Sequence, residues 1–81
     1  MRAFERAVDT HQRSVFTFAR YLLGSPQEAE DVTQEALLRM WRHWDSLDVE
    51  RLEAWLLKVT RNLCYDRMRR LRVVRRVVPA S

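Results

Sequence analysis

Hydrophobic residues recur at helical spacing in three stretches of the chain, and this pattern predicts three helices. In the first stretch the apolar positions alternate in steps of four and three, which places them on one side of a helix of about six turns. The residues of this stripe are Phe4, Val8, His11, Val15, Phe18 and Leu22, broadened by Phe16 and Ala19. Gly24 follows as a helix stop. We expect His11 to be a partly buried packing residue, because no second histidine or cysteine stands at a metal-ligand spacing.

The second helix has a defined start. Ser25 can cap it, Pro26 suits its first position, and Glu28 stands where a capping box needs an acid. Its predicted inward residues are Ala29, Val32, Ala36, Met40 and Trp44. Elsewhere on this helix, acidic residues lie beside Leu38 and Trp41, a combination typical of protein-docking surfaces. On this segment alone, the simpler interpretation is that the acids serve the helix dipole and Trp41 belongs to the core.

The third helix is predicted over roughly 49–70, after a short loop at 45–48 in which Ser46 or Asp48 could cap the next helix. Its inward residues are Trp55, Leu56, Val59 and Leu63. Its outer side carries Lys58, Arg61, Asn62, Tyr65, Arg69 and Arg70. Cations, an amide and an aromatic ring together can hold a phosphate chain and contact bases, although a solvated polar face is the alternative. We expect Asp66 to pair with Arg70, and the tail from Val73 to be a frayed helix end or a linker.

Composition and charge agree with this picture. Eighty-one residues make one small domain, and 47% hydrophobic residues with one glycine and two prolines favour an all-α bundle of three to four helices. The lone Cys64 excludes an internal disulfide and suits a reducing cytoplasm, while no apolar run approaches the roughly 20 residues of a membrane span. Residues 1–50 carry a net charge of −3 and residues 51–81 a net charge of +7. This split indicates a basic face for a polyanion and an acidic face for another partner.

The sequence does not favour an enzyme. One glycine cannot build a glycine-rich phosphate loop, and the acids gather at a helix start rather than across a cleft. Catalytic residues, metal ligands and cofactors are therefore not expected.

Two motifs in order resemble the extracytoplasmic-function (ECF) group of bacterial sigma factors. The first, AEDVTQE at 29–35 followed by LRMWR at 38–42, is similar to their region 2.2. The second, AWL at 54–56 followed by Asn62, Asp66 and an arginine cluster, is similar to their regions 2.3 and 2.4. The segment 4–23 resembles region 2.1.

The resemblance implies a helical sigma-2 domain that binds core RNA polymerase. In this family the region 2.2 helix docks on the clamp helices of the β′ subunit, so the outer side of helix two becomes a docking surface rather than a solvated one. The residues that this assigns to polymerase binding are Asp31, Gln34, Glu35, Leu38 and Trp41.

The resemblance also implies recognition of the −10 promoter element. In this family the last helix and the loop before it hold the non-template single strand, and one base is flipped into the loop. The residues that this assigns to DNA binding are Ser46, Leu47, Asp48, Lys58, Arg61, Asn62, Tyr65 and Arg69. Capture of unstacked bases must offset a melting cost of a few kcal/mol per step. The resemblance further suggests an anti-sigma protein that occludes either face.

The chain departs from the family pattern at several points. Leu37 replaces a usual aromatic residue, and the loop is short and lacks glycine. Asp66 brings a negative charge to the DNA side unless Arg70 or Arg69 neutralises it. No −35-binding domain follows, so we expect a sigma-2 domain over 1–72 (region 2.1 at 4–23, region 2.2 at 26–44, regions 2.3 and 2.4 at 45–72). The start of an interdomain linker is expected at 73–81. The alternatives are a small helical adaptor module without specific DNA recognition and a nonspecific nucleic-acid-binding domain.

Overall fold

Three α-helices make up the domain. The computed structural model of the chain describes the backbone of residues 2–77 and the side chains of residues 2–72. Helix α1 spans Arg2–Leu23, α2 spans Pro26–Arg42 and α3 spans Leu52–Val77. Two short 3₁₀ turns, Trp44–Ser46 and Val49–Arg51, connect α2 to α3. The predicted all-α fold is confirmed for the described residues, with three helices rather than four.

Local chemistry fixes the end of α1 and the start of α2 where the sequence predicted them. Gly24 ends α1 with a φ of 73°, a left-handed conformation that favours glycine, and its N–H donates to the carbonyl of Arg20 at 2.9 Å. Ser25 caps α2, because its Oγ accepts from the backbone N–H of Glu28 at 3.3 Å. In a full capping box the Glu28 carboxylate would accept from the backbone N–H of Ser25. Here that carboxylate binds the guanidinium of Arg67 on α3 instead.

Two connected groups of buried side chains form the core and reveal the topology. The first joins the early part of α1 to the late part of α2 and the start of α3, through Ala7, Val15, Ala36, Met40, Leu52 and Leu56. The second joins the late part of α1 to the early part of α2 and the middle of α3, through Ala19, Ala29, Val32 and Cys64. Consecutive helices therefore run antiparallel, and Leu63 packs against both groups.

The buried side of α1 follows the predicted stripe except at Phe18. Val15 and Ala19 are buried, and the stripe residues that pack against the core groups are Phe4, Val8, Phe16 and Leu22. Phe18 is only partly buried and lines a groove on the outer side beside Tyr21, so the prediction that it belongs to the core stripe is wrong. Helical periodicity puts Phe18 about 60° from Val15 and about 100° from Ala19 around the helix, at the edge of the buried side.

The outer parts of α2 and α3 also differ from the prediction. Helix α2 ends at Arg42, so Trp44 lies in the following turn, where its ring still packs edge-to-face on Phe4 at 5.4 Å between centroids. Helix α3 begins at Leu52 and continues past the predicted end at Arg70 to Val77, because no glycine or proline interrupts it. The linker predicted at 73–81 stays a prediction, and residues 78–81 lie outside the described part of the chain.

Polar groups inside the bundle are satisfied by the helices that carry them. Thr33 donates to the carbonyl of Ala29, and Thr60 to that of Leu56, each at 2.7 Å. A buried hydroxyl with an acceptor avoids the cost of an unmade hydrogen bond, which is about 1–3 kcal/mol. Within residues 2–77, no helix is both long enough and apolar enough to cross a membrane.

Replacing Cys64 with alanine should change how stability responds to alkaline pH. Burial raises the pKa of the Cys64 thiol, and the nearby Arg67 partly offsets this rise. The folded chain thus favours the protonated thiol. The contribution of the protonated thiol to the free energy of unfolding is fully present below the unfolded thiol pKa of about 8.5. It is lost as the pH rises through the higher pKa of the folded chain. Urea unfolding under reducing conditions should therefore show the stability advantage of the parent over Cys64→Ala shrinking between about pH 7 and about pH 10. A constant difference would contradict this linkage.

Candidate functional site

The outward side of α3 is a row of polar and basic side chains opposite the core. Leu52, Leu56, Thr60 and Cys64 are buried along the inner side at four-residue steps. Helical periodicity then turns the residues between them outward. The exposed residues of this outward side are Lys58, Arg61, Asn62, Tyr65, Arg69 and Arg72. Every α3 residue that the sequence assigned to DNA binding is on this side, and Arg72 is an addition to the set.

A shallow groove of about 430 Å³ lies along the distal half of this face. It is lined by Asn62, Tyr65, Asp66, Met68, Arg69 and Arg72. Tyr65 is 47% exposed, so part of its ring surface is free to stack on an unpaired base. The amide of Asn62 stands beside it in the same groove, where it can donate to and accept from a base edge.

The negative charge of Asp66 is neutralised inside this groove. Its carboxylate binds the guanidinium of Arg69, three residues on, so the predicted pairing with Arg70 is wrong. Both arginines are within reach of Asp66 by residue spacing, and Arg70 lies instead towards the acids of α2. There it lines a second groove, of about 300 Å³, whose walls include Asp31 and Glu35. Arg69 and Arg70 thus serve different surfaces.

The loop before α3 is held at both ends by aromatic and hydrogen-bond contacts. The His43 ring lies against Trp55 with 5.9 Å between ring centroids, and its Nδ1 lies 2.9 Å from the Arg39 carbonyl oxygen. Asp48 caps the next turn, because its carboxylate accepts from the N–H of Glu50 at 3.0 Å. These contacts give the connection a defined shape without glycine.

The three loop residues assigned to DNA binding differ in accessibility. Ser46 and Asp48 are exposed, and the Ser46 hydroxyl donates to the carbonyl of His43 at 3.0 Å. Leu47 is partly buried and packs against the core. Of the three, Ser46 and Asp48 therefore have the polar side chains that are open to solvent.

The outer side of α2 combines acids with exposed apolar residues. Leu38 is 50% exposed and Trp41 54% exposed, which excludes the interpretation that Trp41 belongs to the core. Asp31 and Gln34 are exposed on the same side of the helix. Glu35 is partly buried and pairs with Arg39 at 3.3 Å. The side chains assigned to polymerase docking thus form one continuous surface, although some of its negative charge is already neutralised.

Arg67 links this α2 surface to α3, and sequence reasoning missed it. Its guanidinium binds the Glu28 carboxylate and lies 3.8 Å from that of Asp31. Its side chain is 31% exposed, so this pair is better shielded from water than a typical surface pair. Predicting this ion pair would have required knowing how α2 and α3 are rotated relative to each other. The periodicity within one helix does not provide that information.

Comparison with known proteins identifies the family. The sigma-70 region 2 profile matches residues 7–74. The chain belongs to the sigma-70 region 2 family. No solved structure is found to match it.

Curated relatives confirm the resemblance to ECF sigma factors. The chain is 36% identical over 69 residues to the ECF RNA polymerase sigma factor SigW of Bacillus subtilis, covering 84% of this chain and 37% of SigW. It is 41% identical over 66 residues to the ECF factor SigL of Mycobacterium tuberculosis, covering 79% of this chain and 37% of SigL. It is 34% identical over 70 residues to SigE of Mycolicibacterium smegmatis, covering 86% of this chain and 27% of SigE. The chain thus spans 27% to 37% of the length of these relatives, and its region 2 membership supports a role in transcription initiation.

A double-mutant cycle should detect the link between α2 and α3. Arg67→Gln and Glu28→Gln should be non-additive by about 0.2–1 kcal/mol in the free energy of unfolding, because each removes the same ion pair. The coupling should shrink as salt is raised. Arg69→Gln combined with Glu28→Gln provides the control and should be additive. An equal coupling in both cycles would show that the Arg67 pair does not join the helices.

Proposed function

We propose that this domain binds core RNA polymerase through α2 and the non-template strand of the −10 promoter element through α3 and the preceding loop. It would act where the polymerase acts, in the cytoplasm, as a non-enzymatic transcription initiation factor. The observation that carries the proposal is the separation of two chemically distinct outward faces in a region 2 chain. One face is acidic with exposed apolar groups, and the other is basic with an exposed ring and amide.

The composition of the α2 face supports docking on a helical, basic partner such as the β′ clamp helices. Leu38 and Trp41 supply the apolar contact that a protein interface needs at its centre. Asp31 and Gln34 stand next to them as exposed polar groups that can meet cations. The Arg39 and Arg67 pairs hold part of the acidic side in place before any partner arrives.

The composition of the α3 face supports binding of a separated strand rather than reading of an intact duplex. Lys58 and Arg61 can track phosphates, while Asn62 and Tyr65 can hydrogen-bond to and stack on an unpaired base. The groove beside them is shallow and open along the helix, so it can accept a strand that passes through. Ser46 and Asp48 add hydrogen-bonding groups where a flipped base would lie.

Charge reversal on α2 should test the docking surface. Asp31→Lys with Glu35→Lys should weaken binding to an isolated β′ clamp-helix fragment by at least about tenfold, because like charges would face each other. The control, Glu5→Lys with Glu53→Lys, makes the same charge change at exposed positions on α1 and α3. Binding can be measured by fluorescence anisotropy, with helical content checked by circular dichroism. Equal affinities for the parent and both variants would remove the docking assignment.

A pair of substitutions on α3 should separate base reading from phosphate contact. Asn62→Ala should reduce discrimination between a −10 single strand and a scrambled one by about 1–3 kcal/mol. Lys58→Ala should weaken both strands alike and lower the salt dependence of binding by about 0.7 in logarithmic slope. If both substitutions affect the two strands equally, Asn62 does not read a base. If the parent already binds both strands equally, the domain binds nucleic acid without sequence preference.

A further inference from the structure

The outward side of α1 carries a row of arginines that the proposed function does not use. The four basic residues of α1 are Arg2, Arg6, Arg13 and Arg20, and all four are exposed. The last three follow one another at seven-residue steps, so they drift by only about 20° per step around the helix. A rise of about 1.5 Å per residue spaces them about 10 Å apart. The row lies on the side of α1 away from the buried residues Val15 and Ala19.

No ion pair among the described side chains involves this row, because those pairs join residues of α2 and α3. The acids of α1 are Glu5 and Asp9, and Glu30 of α2 lines a groove together with Asp9 and Arg13. The net charge of −3 over residues 1–50 therefore conceals two opposite parts. Helix α1 has four arginines against two acids, whereas residues 24–50 have two arginines against seven acids. The positive charge of the domain thus has a second centre, apart from α3.

Hydroxyl groups lie alongside the arginine row. Thr10, Ser14, Thr17 and Tyr21 follow each other in steps of four, three and four, and Tyr21 is 84% exposed. They line a surface groove of about 760 Å³ that Arg13 also borders. Arginine with serine, threonine and tyrosine is the side-chain set that proteins use for phosphate and sugar contacts. Asp9 also lines this groove and balances Arg13 there, so the net positive charge comes from the arginine row as a whole.

We propose that this arginine row binds the phosphodiester backbone of nucleic acid as a contact separate from α3. A nucleic acid fits better than an acidic protein for two reasons. All cations of the row are arginines, whose planar forks suit phosphate oxygens. The exposed Tyr21 carries a hydroxyl as well as a ring, so it can contact a phosphate or a sugar beside the arginines.

The salt dependence of DNA binding tests the row directly. The full chain is titrated with a 20-base-pair duplex of non-promoter sequence (about two helical turns) and with one of its single strands, between about 50 and 200 mM KCl. Arg13→Gln with Arg20→Gln should lower the logarithmic salt slope for the duplex by about 1.8 and weaken binding on the order of tenfold. The control, Arg42→Gln with Arg51→Gln, removes the same charge at two exposed positions outside the row. It should keep the parent slope.

The outcomes separate the possible occupants. Row-dependent binding of either the duplex or the single strand supports the proposal and shows which form the row prefers. Equal effects of the two double variants, or no effect of either, would overturn it. Loss of binding to polyglutamate without loss of binding to DNA would instead assign the row to an acidic protein. The preference of the domain for a −10 strand, which we assign to Asn62, should be unchanged in the variant with Arg13→Gln and Arg20→Gln. Failure of the proposal for α3 can therefore be distinguished from failure of the proposal for the arginine row.

Discussion

Helix α3 packs against both other helices along one narrow stripe, and that packing constrains the remaining surfaces. The residues of this stripe follow one another at four-residue steps and are Leu52, Leu56, Thr60 and Cys64. Each of them is at most 2% exposed. An α-helix that buries one side must expose the opposite one. Among the described residues, no further element covers the exposed side. The basic groove around Asn62 and Tyr65 is therefore a consequence of how the core is built, and substitutions at its outer positions leave the core intact.

Electrostatic contacts join α2 to α3 on one side of the bundle. Arg67 and Arg70 turn towards the acids of α2, while Asp66 and Arg69 neutralise each other. Part of the positive charge of α3 therefore already faces Asp31, which we assign to polymerase docking. The outward row of α3, from Lys58 to Arg72, keeps its positive charge for an anionic partner.

The sequence was sufficient for the helices and much of their chemistry, because caps and periodicity are local. Ser25 and Gly24 mark their positions by side-chain and backbone properties alone, and the outward residues of α3 follow from spacing. What failed depends on packing between helices. Phe18 was placed in the core because it is large, apolar and at helical spacing, yet it lies at the edge of the buried side of α1 and lines an outer groove. Predicting the role of Arg67 would have required knowing which residues of α2 lie opposite it. The hydrophobic pattern of a single helix does not contain that information.

The central claim is that the outward face of α3 and the preceding loop receive a separated promoter strand. The most direct test is the amide NMR spectrum of the ¹⁵N-labelled chain, titrated with a single-stranded −10 oligonucleotide and with a scrambled strand of the same composition. The account predicts larger shifts with the −10 strand, concentrated at Ser46 and Asp48 and around Asn62 and Tyr65. Shifts of equal size with both strands, or shifts confined to α2, would contradict it.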